Sequence, residues 1–160
     1  MGKPVNNLDF WKGRLQDAEK GYLHYSVYVA NPALWAFIEK KHRETLNKYI
    51  AWDDKVLDAG CGYGRGSEFI PGEYTGVDFS PDFILKAKQL YPGKSFIKAD
   101  LAKLPFEDHL FDWAVCISIK AMIKNNLGQE VWMPMEQELK RVAKKVLILE
   151  YEDPITYEVL

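Results

Sequence analysis

The chain predicts an α/β fold, a doubly wound parallel sheet of five core strands in the order 3-2-1-4-5 with helices on both faces. Three observations carry that expectation. Residues 55–66 run from a short apolar strand into a turn with glycines at 60, 62, 64 and 66. Three strand-like segments in succession end in an acid, at Asp58, Asp78 and Asp100, about one strand–helix unit apart. Residues Val146-Leu147-Ile148-Leu149 are continuously apolar, as in a strand covered by helices on both faces.

Each element has a local reason. Residues 33–50 read as an amphipathic helix after the Asn31-Pro32 start signal, with Leu34, Phe37, Ile38, Leu46, Tyr49 and Ile50 on or near one face. Strands are expected at 54–59, 74–79, 95–99, 111–117 and 145–151. Ser80-Pro81 opens a helix, Ser80 as cap and Pro81 at the first helical position, where its missing N–H is harmless. Trp132, Met135, Leu139 and Val142 form one helical face in the fourth connection, so Pro134 must lie in or just before that helix's first turn.

Composition bounds the answer. The 160 residues are 48% apolar and 28% charged, enough for one core and too few for two independent domains. The expected layout is a helical cap at 1–50, a core at 51–152 and a tail at 153–160, with no internal repeat. A net charge of −2 argues against a nucleic-acid binder, and Lys40-Lys41-His42-Arg43 reads as the solvated face of a helix. The two cysteines, Cys61 and Cys116, suggest neither a disulfide framework nor a metal site. No apolar run approaches a membrane span of about 18 residues and no signal peptide is legible, so a soluble, reducing, cytoplasmic setting is expected.

The glycine turn narrows the chemistry. Its spacing lets backbone approach a ligand without a Cβ in the way. A dinucleotide fingerprint requires G-x-G-x-x-G, but Arg65 and Ser67 stand at the last position in the two registers. That argues against a nicotinamide-dependent oxidoreductase. Asp78 lies 18 residues beyond Gly60, near the distance that places an acid on ribose hydroxyls. Its carboxylate can accept two hydrogen bonds in parallel from a vicinal diol.

Together, Asp58-x-Gly60-x-Gly62-x-Gly64, the acid-ended strand at Asp78 and the block Asp100-x-x-x-Leu104-Pro105-Phe106-x-Asp108-x-x-Phe111-Asp112 resemble the class I S-adenosylmethionine (SAM)-dependent methyltransferases. The resemblance is to those of the small-molecule, ubiquinone-biosynthesis type. It is strong over roughly 53–118, weak to about 150, and leaves the first fifty residues unmatched. It implies a Rossmann-like fold and SAM as cofactor, with S-adenosylhomocysteine (SAH) as product. The implied cofactor-binding residues are Asp58, Gly60, Cys61, Gly62, Asp78, Phe79, Asp100, Leu101 and Ile117. Asp100 would meet the adenine amino group, and Phe79 or Phe83 would lie against the ring.

Departures from the family pattern shape the remaining expectations. The glycine-containing turn before strand five is trimmed, and the usual C-terminal antiparallel hairpin is minimal or missing. Strand five would then be an open edge, which the tail covers or a second copy of the chain pairs with. Tyr157, Val159 and Leu160 alternate weakly enough for a short strand. The aromatic stretch with Tyr22, His24, Tyr25 and Tyr28 suits a lid over the cofactor. No catalytic base is named; His24 and His109 are the candidates at loop ends. Ser118-Ile119-Lys120 stands where a DNA amino-methyltransferase carries Asn/Asp-Pro-Pro-aromatic, and neither cysteine follows a proline as a cytosine-5 enzyme requires. The expected activity is methyl transfer to a small molecule. The alternative is a SAM-binding sensor or inactive partner subunit.

Overall fold

The computed structural model describes residues 12, 13, 16, 32–150 and 157–160. The lid segment with His24 and tail residues 151–156 therefore lie outside the described residues. The described chain forms α1 (Pro32–Tyr49), β1 (Lys55–Ala59), β2 (Glu73–Asp78), α2 (Pro81–Leu90), β3 (Ser95–Lys98), β4 (Phe111–Ile117), α3 (Lys120–Leu127), α4 (Gln129–Val142), β5 (Ala143–Leu149) and β6 (Tyr157–Val159). A short 3-10 turn, Arg65–Glu68, follows the glycines.

The sheet order is β3-β2-β1-β4-β5-β6, parallel from β3 to β5, with β6 antiparallel on β5. The expected 3-2-1-4-5 core is present. The tail closes the β5 edge through Leu147–Val159, Ile148–Glu158 and Leu149–Tyr157, and Val146 and Leu160 exchange both backbone bonds. Strand order reverses at β1, so β1 and β4 form the crevice where open α/β sheets take ligands, beyond the strands' carboxyl ends.

Helices cover both faces. One apolar layer joins Leu57, Ala59, Val77, Ala114 and Cys116 of the sheet to Ile123, Trp132, Leu139 and Val142 of α3 and α4. The other joins Val56, Tyr74, Trp113, Val115, Leu147 and Leu149 to Leu46 and Ile50 at the end of α1 and to Ile84 and Ala87 of α2. Ser80 caps α2 by accepting the Phe83 N–H at 3.4 Å. Tyr49 packs on Trp113, 6.0 Å between ring centres.

Four details differ from the sequence expectation. The buried stripe of α1 is Ile38, His42, Leu46 and Ile50, while Leu34 and Phe37 are exposed; a polar residue completes the i+4 row that the apolar pattern left open. The fourth connection is two helices, because Gly128 at φ 102° breaks it. Pro134 consequently lies inside α4, past the first turn, where it withdraws the backbone donor due to the Glu130 carbonyl. Finally, β5 begins at Ala143, which pairs with Phe111 directly after α4, and ends at Leu149. Glu150 leaves the ladder, with its Oε1 accepting the Ala121 N–H at 3.0 Å.

Candidate cofactor site

Glycine freedom and one buried acid shape the crevice. After β1 the chain turns through Gly60, Gly62 and Gly64 at φ 78°, 55° and 87°. The Gly60 and Cys61 N–H groups both donate to the Val77 carbonyl at 2.9 Å, pinning the turn to β2. Asp78 completes the anchor: Oδ2 accepts the Gly62 N–H at 3.0 Å and Oδ1 the Ser80 N–H at 2.9 Å. Its carboxylate thus holds the glycine turn in place while standing at the carboxyl end of β2. A Cβ on Gly62 would meet nothing among the described residues within 4 Å, so this face of the turn is open with respect to them.

Asp58 has a different role. It is buried beneath the turn, and Oδ2 accepts the Tyr74 hydroxyl at 2.7 Å. Burial pushes both Asp58 and Asp78 up to about 6, with the Asp78 charge adding to the rise at Asp58. Two buried carboxyls beneath an open glycine face make the crevice electronegative, which suits a cationic ligand. Cys61 stands between them, and burial pushes its thiol far up, so it is no nucleophile.

The remaining predicted residues spread along the carboxyl ends. Phe79 is half-buried against the Tyr63–Phe83 pair, whose rings meet edge-on at 6.4 Å. Phe83 itself is buried in that pair, so of the two candidate adenine platforms Phe79 is the one with accessible surface. Asp100 is exposed, and its Oδ1 accepts the Ala102 N–H at 2.9 Å, as a turn-capping acid does. The Leu101 side chain packs in the core, while Ile117 is half-buried at the end of β4. His109 lies before β4, at the amino end of the sheet, where its N–H bonds the Arg141 carbonyl. That is the opposite edge from the crevice, and it removes His109 as a base.

Sequence reasoning missed three contributors. Glu39 of α1 reaches the turn: its Oε2 takes Arg65 Nη1 at 2.6 Å and its Oε1 takes Arg43 at 2.8 Å. Both guanidinium groups lie near the Phe69 ring, 4.7 Å from its centre for Arg43 and 5.6 Å for Arg65. Next, Glu150 is buried at the end of β5, and its main chain is hydrogen-bonded by His42, whose imidazole burial pushes down to about 4. The third is Ser118, in the left-handed region at φ 59°. None is legible locally, because each depends on a partner at least 26 residues away or on a turn fixed by the sheet.

Comparison with known proteins decides the family. A family model described as a methyltransferase domain matches residues 57–146, more than half of the chain. The chain belongs to the class I SAM-dependent methyltransferases. Among curated relatives, this methyltransferase chain is 34% identical over 93 residues to the phthiotriol/phenolphthiotriol dimycocerosates methyltransferase of Mycobacterium leprae, covering 54% of this chain and 33% of that one. It is 30% identical over 118 residues to a fatty-acid O-methyltransferase of Mycolicibacterium smegmatis, covering 62% and 42%. The chain spans about a third of the length of the first curated relatives it matches. Among solved structures, the PH0226 protein of Pyrococcus horikoshii superposes with TM-score 0.66 at 28% identity, covering 82% of this chain and 65% of that one. A TehB-like SAM-dependent methyltransferase of Corynebacterium glutamicum shares the fold at TM-score 0.59 and 19% identity, covering 89% and 71%. Membership sets aside the nicotinamide reading.

The residues present fit the cofactor that the family implies. A thin glycine face, an acid at ribose distance and the half-buried side chains Phe79 and Ile117 match a nucleoside with a cationic arm.

Proposed function

We propose that this methyltransferase binds SAM across the carboxyl ends of β2, β1 and β4 and transfers its methyl group to a small-molecule acceptor. The observation that supports the reading is the coupling of Asp78 to Gly62: one carboxylate fixes the glycine turn at the carboxyl end of β2, where it would receive the ribose hydroxyls. Bound SAM would supply an already activated methyl group on a sulfonium.

The chain's own task is positioning, which can contribute about 7–11 kcal/mol when two reactants are aligned. Asp78 would hold the ribose, and Phe79 and Ile117 would flank the adenosine. The backbone of Gly60–Gly62 would let the cationic arm lie close above the buried acids. The small-molecule acceptor rests on the curated relatives, which are named for phthiotriol dimycocerosates and a fatty acid, and on the chain's net negative charge.

Incubation with methyl-tritiated SAM and a cell extract, followed by fractionation, tests both halves. Label is expected in the small-molecule fraction. Label confined to protein or RNA would overturn the acceptor class. Intact SAM binding with no label in any fraction would mean a binding protein without transferase activity.

A further inference from the structure

The short helix α3 does not stay on one face of the sheet. Its buried residue Ile123 belongs to the apolar layer that α4 completes with Trp132. Met122 and Leu127 of the same helix pack against Tyr63 and Phe83, the pair formed by the glycine turn and the first turn of α2. The rest of α2 covers the opposite face of the sheet, through Ile84 and Ala87. A helix that touches both layers crosses the edge between them, and the edge here is the carboxyl end of the strands. At the start of the crossing Ile119 lies against the glycine turn, where a Cβ on Gly60 would come within 2.8 Å of Ile119 Cδ1. The lengths agree. The 8 residues of α3 span about 12 Å, and three strand spacings, from β5 across to β2, span about 14 Å.

The helix is fastened unevenly. Its amino end carries polar ties: the Ala121 N–H donates to Glu150 at 3.0 Å, and Lys120 pairs with Glu158. Its carboxyl half rests on the apolar contacts of Met122 and Leu127, while Lys124, Asn125 and Asn126 are exposed. Little buried apolar surface holds that half down, which is the mark of a segment that opens readily. The backbone is also broken on both sides, with Ser118 at φ 59° and Gly128 at φ 102°. Neither conformation continues a right-handed helix. α3 is thereby uncoupled from β4 before it and α4 after it, and hinged segments move by placing large dihedral changes on a few such element-terminal residues.

We propose that α3 is a gate across the crevice: it pivots about its amino end, lifts Leu127 away from Tyr63 and Phe83 to admit the cofactor, and closes over it. Phe79 packs on the same Tyr63–Phe83 pair, so the gate rests beside the side chain assigned to the adenosine. The inference rests on the cofactor reading above, and its test separates the two.

The natural chain, Leu127→Asn and the conservative Leu127→Met are compared in two measurements. In stopped-flow mixing with SAH, followed by intrinsic fluorescence, the observed rate for the natural chain should level off at a ceiling set by gate opening. Leu127→Asn, which weakens the closed contact, should raise that ceiling about ten-fold, and Leu127→Met should restore it. In hydrogen exchange without ligand, residues 120–127 should exchange together and ahead of α4, and faster still in Leu127→Asn. A binding rate that stays linear in SAH and is unmoved by Leu127→Asn overturns the gate. So does an α3 that exchanges as slowly as α4 in the ligand-free chain, whether or not SAH binds. Rapid exchange of α3 in a natural chain that binds no SAH upholds its mobility and overturns the cofactor reading instead.

Discussion

Two glycines two residues apart in one turn should fail in opposite ways when given a methyl group. Gly62→Ala forces a Cβ onto a backbone at φ 55°, a strain of about 1–2 kcal/mol, but the new atom meets nothing among the described residues within 4 Å. Gly64→Ala carries similar strain at φ 87° and also drives its Cβ to 2.6 Å from Phe96 Cζ and 3.0 Å from the Ala87 Cβ. Phe96 is buried against Tyr74, 5.7 Å between ring centres, and Ala87 is fully enclosed, so neither can yield cheaply. Overpacking of this kind adds about 1–3 kcal/mol. At roughly 2–4 °C per kcal/mol for a domain of this size, Gly62→Ala should lower the melting temperature by a few degrees and Gly64→Ala clearly more. Binding should rank the other way. The methyl on Gly62 would occupy the face proposed for the cofactor, so SAH affinity should fall at least about ten-fold, or 1.4 kcal/mol, in a protein that remains folded. Thermal unfolding and calorimetry on the same samples decide it. A Gly62→Ala protein that binds SAH as the natural chain does would refute the placement of the cofactor. A Gly64→Ala protein as stable as Gly62→Ala would refute the packing argument.

Three further outcomes follow from the same geometry. Asp58 has its folded pKa raised from 3.8 to about 6, so the native state binds its proton more tightly and its contribution to stability falls as pH rises from about 4 to 6. Asp58→Asn, which keeps an acceptor for Tyr74, should therefore gain stability relative to the natural chain by up to about 3 kcal/mol between pH 4 and 7 in urea unfolding. His42, depressed to about 4, has the opposite slope, which cancels in that difference; a flat difference would contradict burial as the cause. Glu39→Ala releases the ion pair that ties α1 to Arg65 beside the glycine turn, and hydrogen exchange should quicken at 64–69 with a stability loss of about 1 kcal/mol; unchanged exchange would make the ion pair incidental. Deleting residues 153–160 uncovers the β5 edge and removes the Lys120–Glu158 pair, so the truncated protein should aggregate or associate while retaining SAH binding. A truncation that stays the same size by light scattering but loses the cofactor would place the tail in the site instead.

The sheet was legible because its signals are local. Strand ends marked by Asp58 and Asp78, and the bounds of 111–117, need only a short window of apolar residues closed by an acid or a turn. The breaks in the helices were harder to read. The pattern from Trp132 to Val142 shows a face but not where the helix starts, and Gly128 acts through its φ, which spacing does not encode. His42 in the α1 stripe reads as a surface basic residue until the Glu150 main chain is placed beside it. The site divides along the same line. Asp78 and the glycines could be found from their order along the chain, whereas the bond from Gly62 to Asp78 and the strain at Ser118 exist only once β1, β2 and β4 lie side by side.

Calorimetric titration of SAH into the natural chain and into Asp78→Ala tests the central claim most directly. Asp78→Ala removes both the proposed ribose acceptor and the group that holds the Gly62 N–H, so affinity should fall by about 1.5–3 kcal/mol, roughly ten- to a hundred-fold. Equal SAH affinity in the two proteins would contradict it.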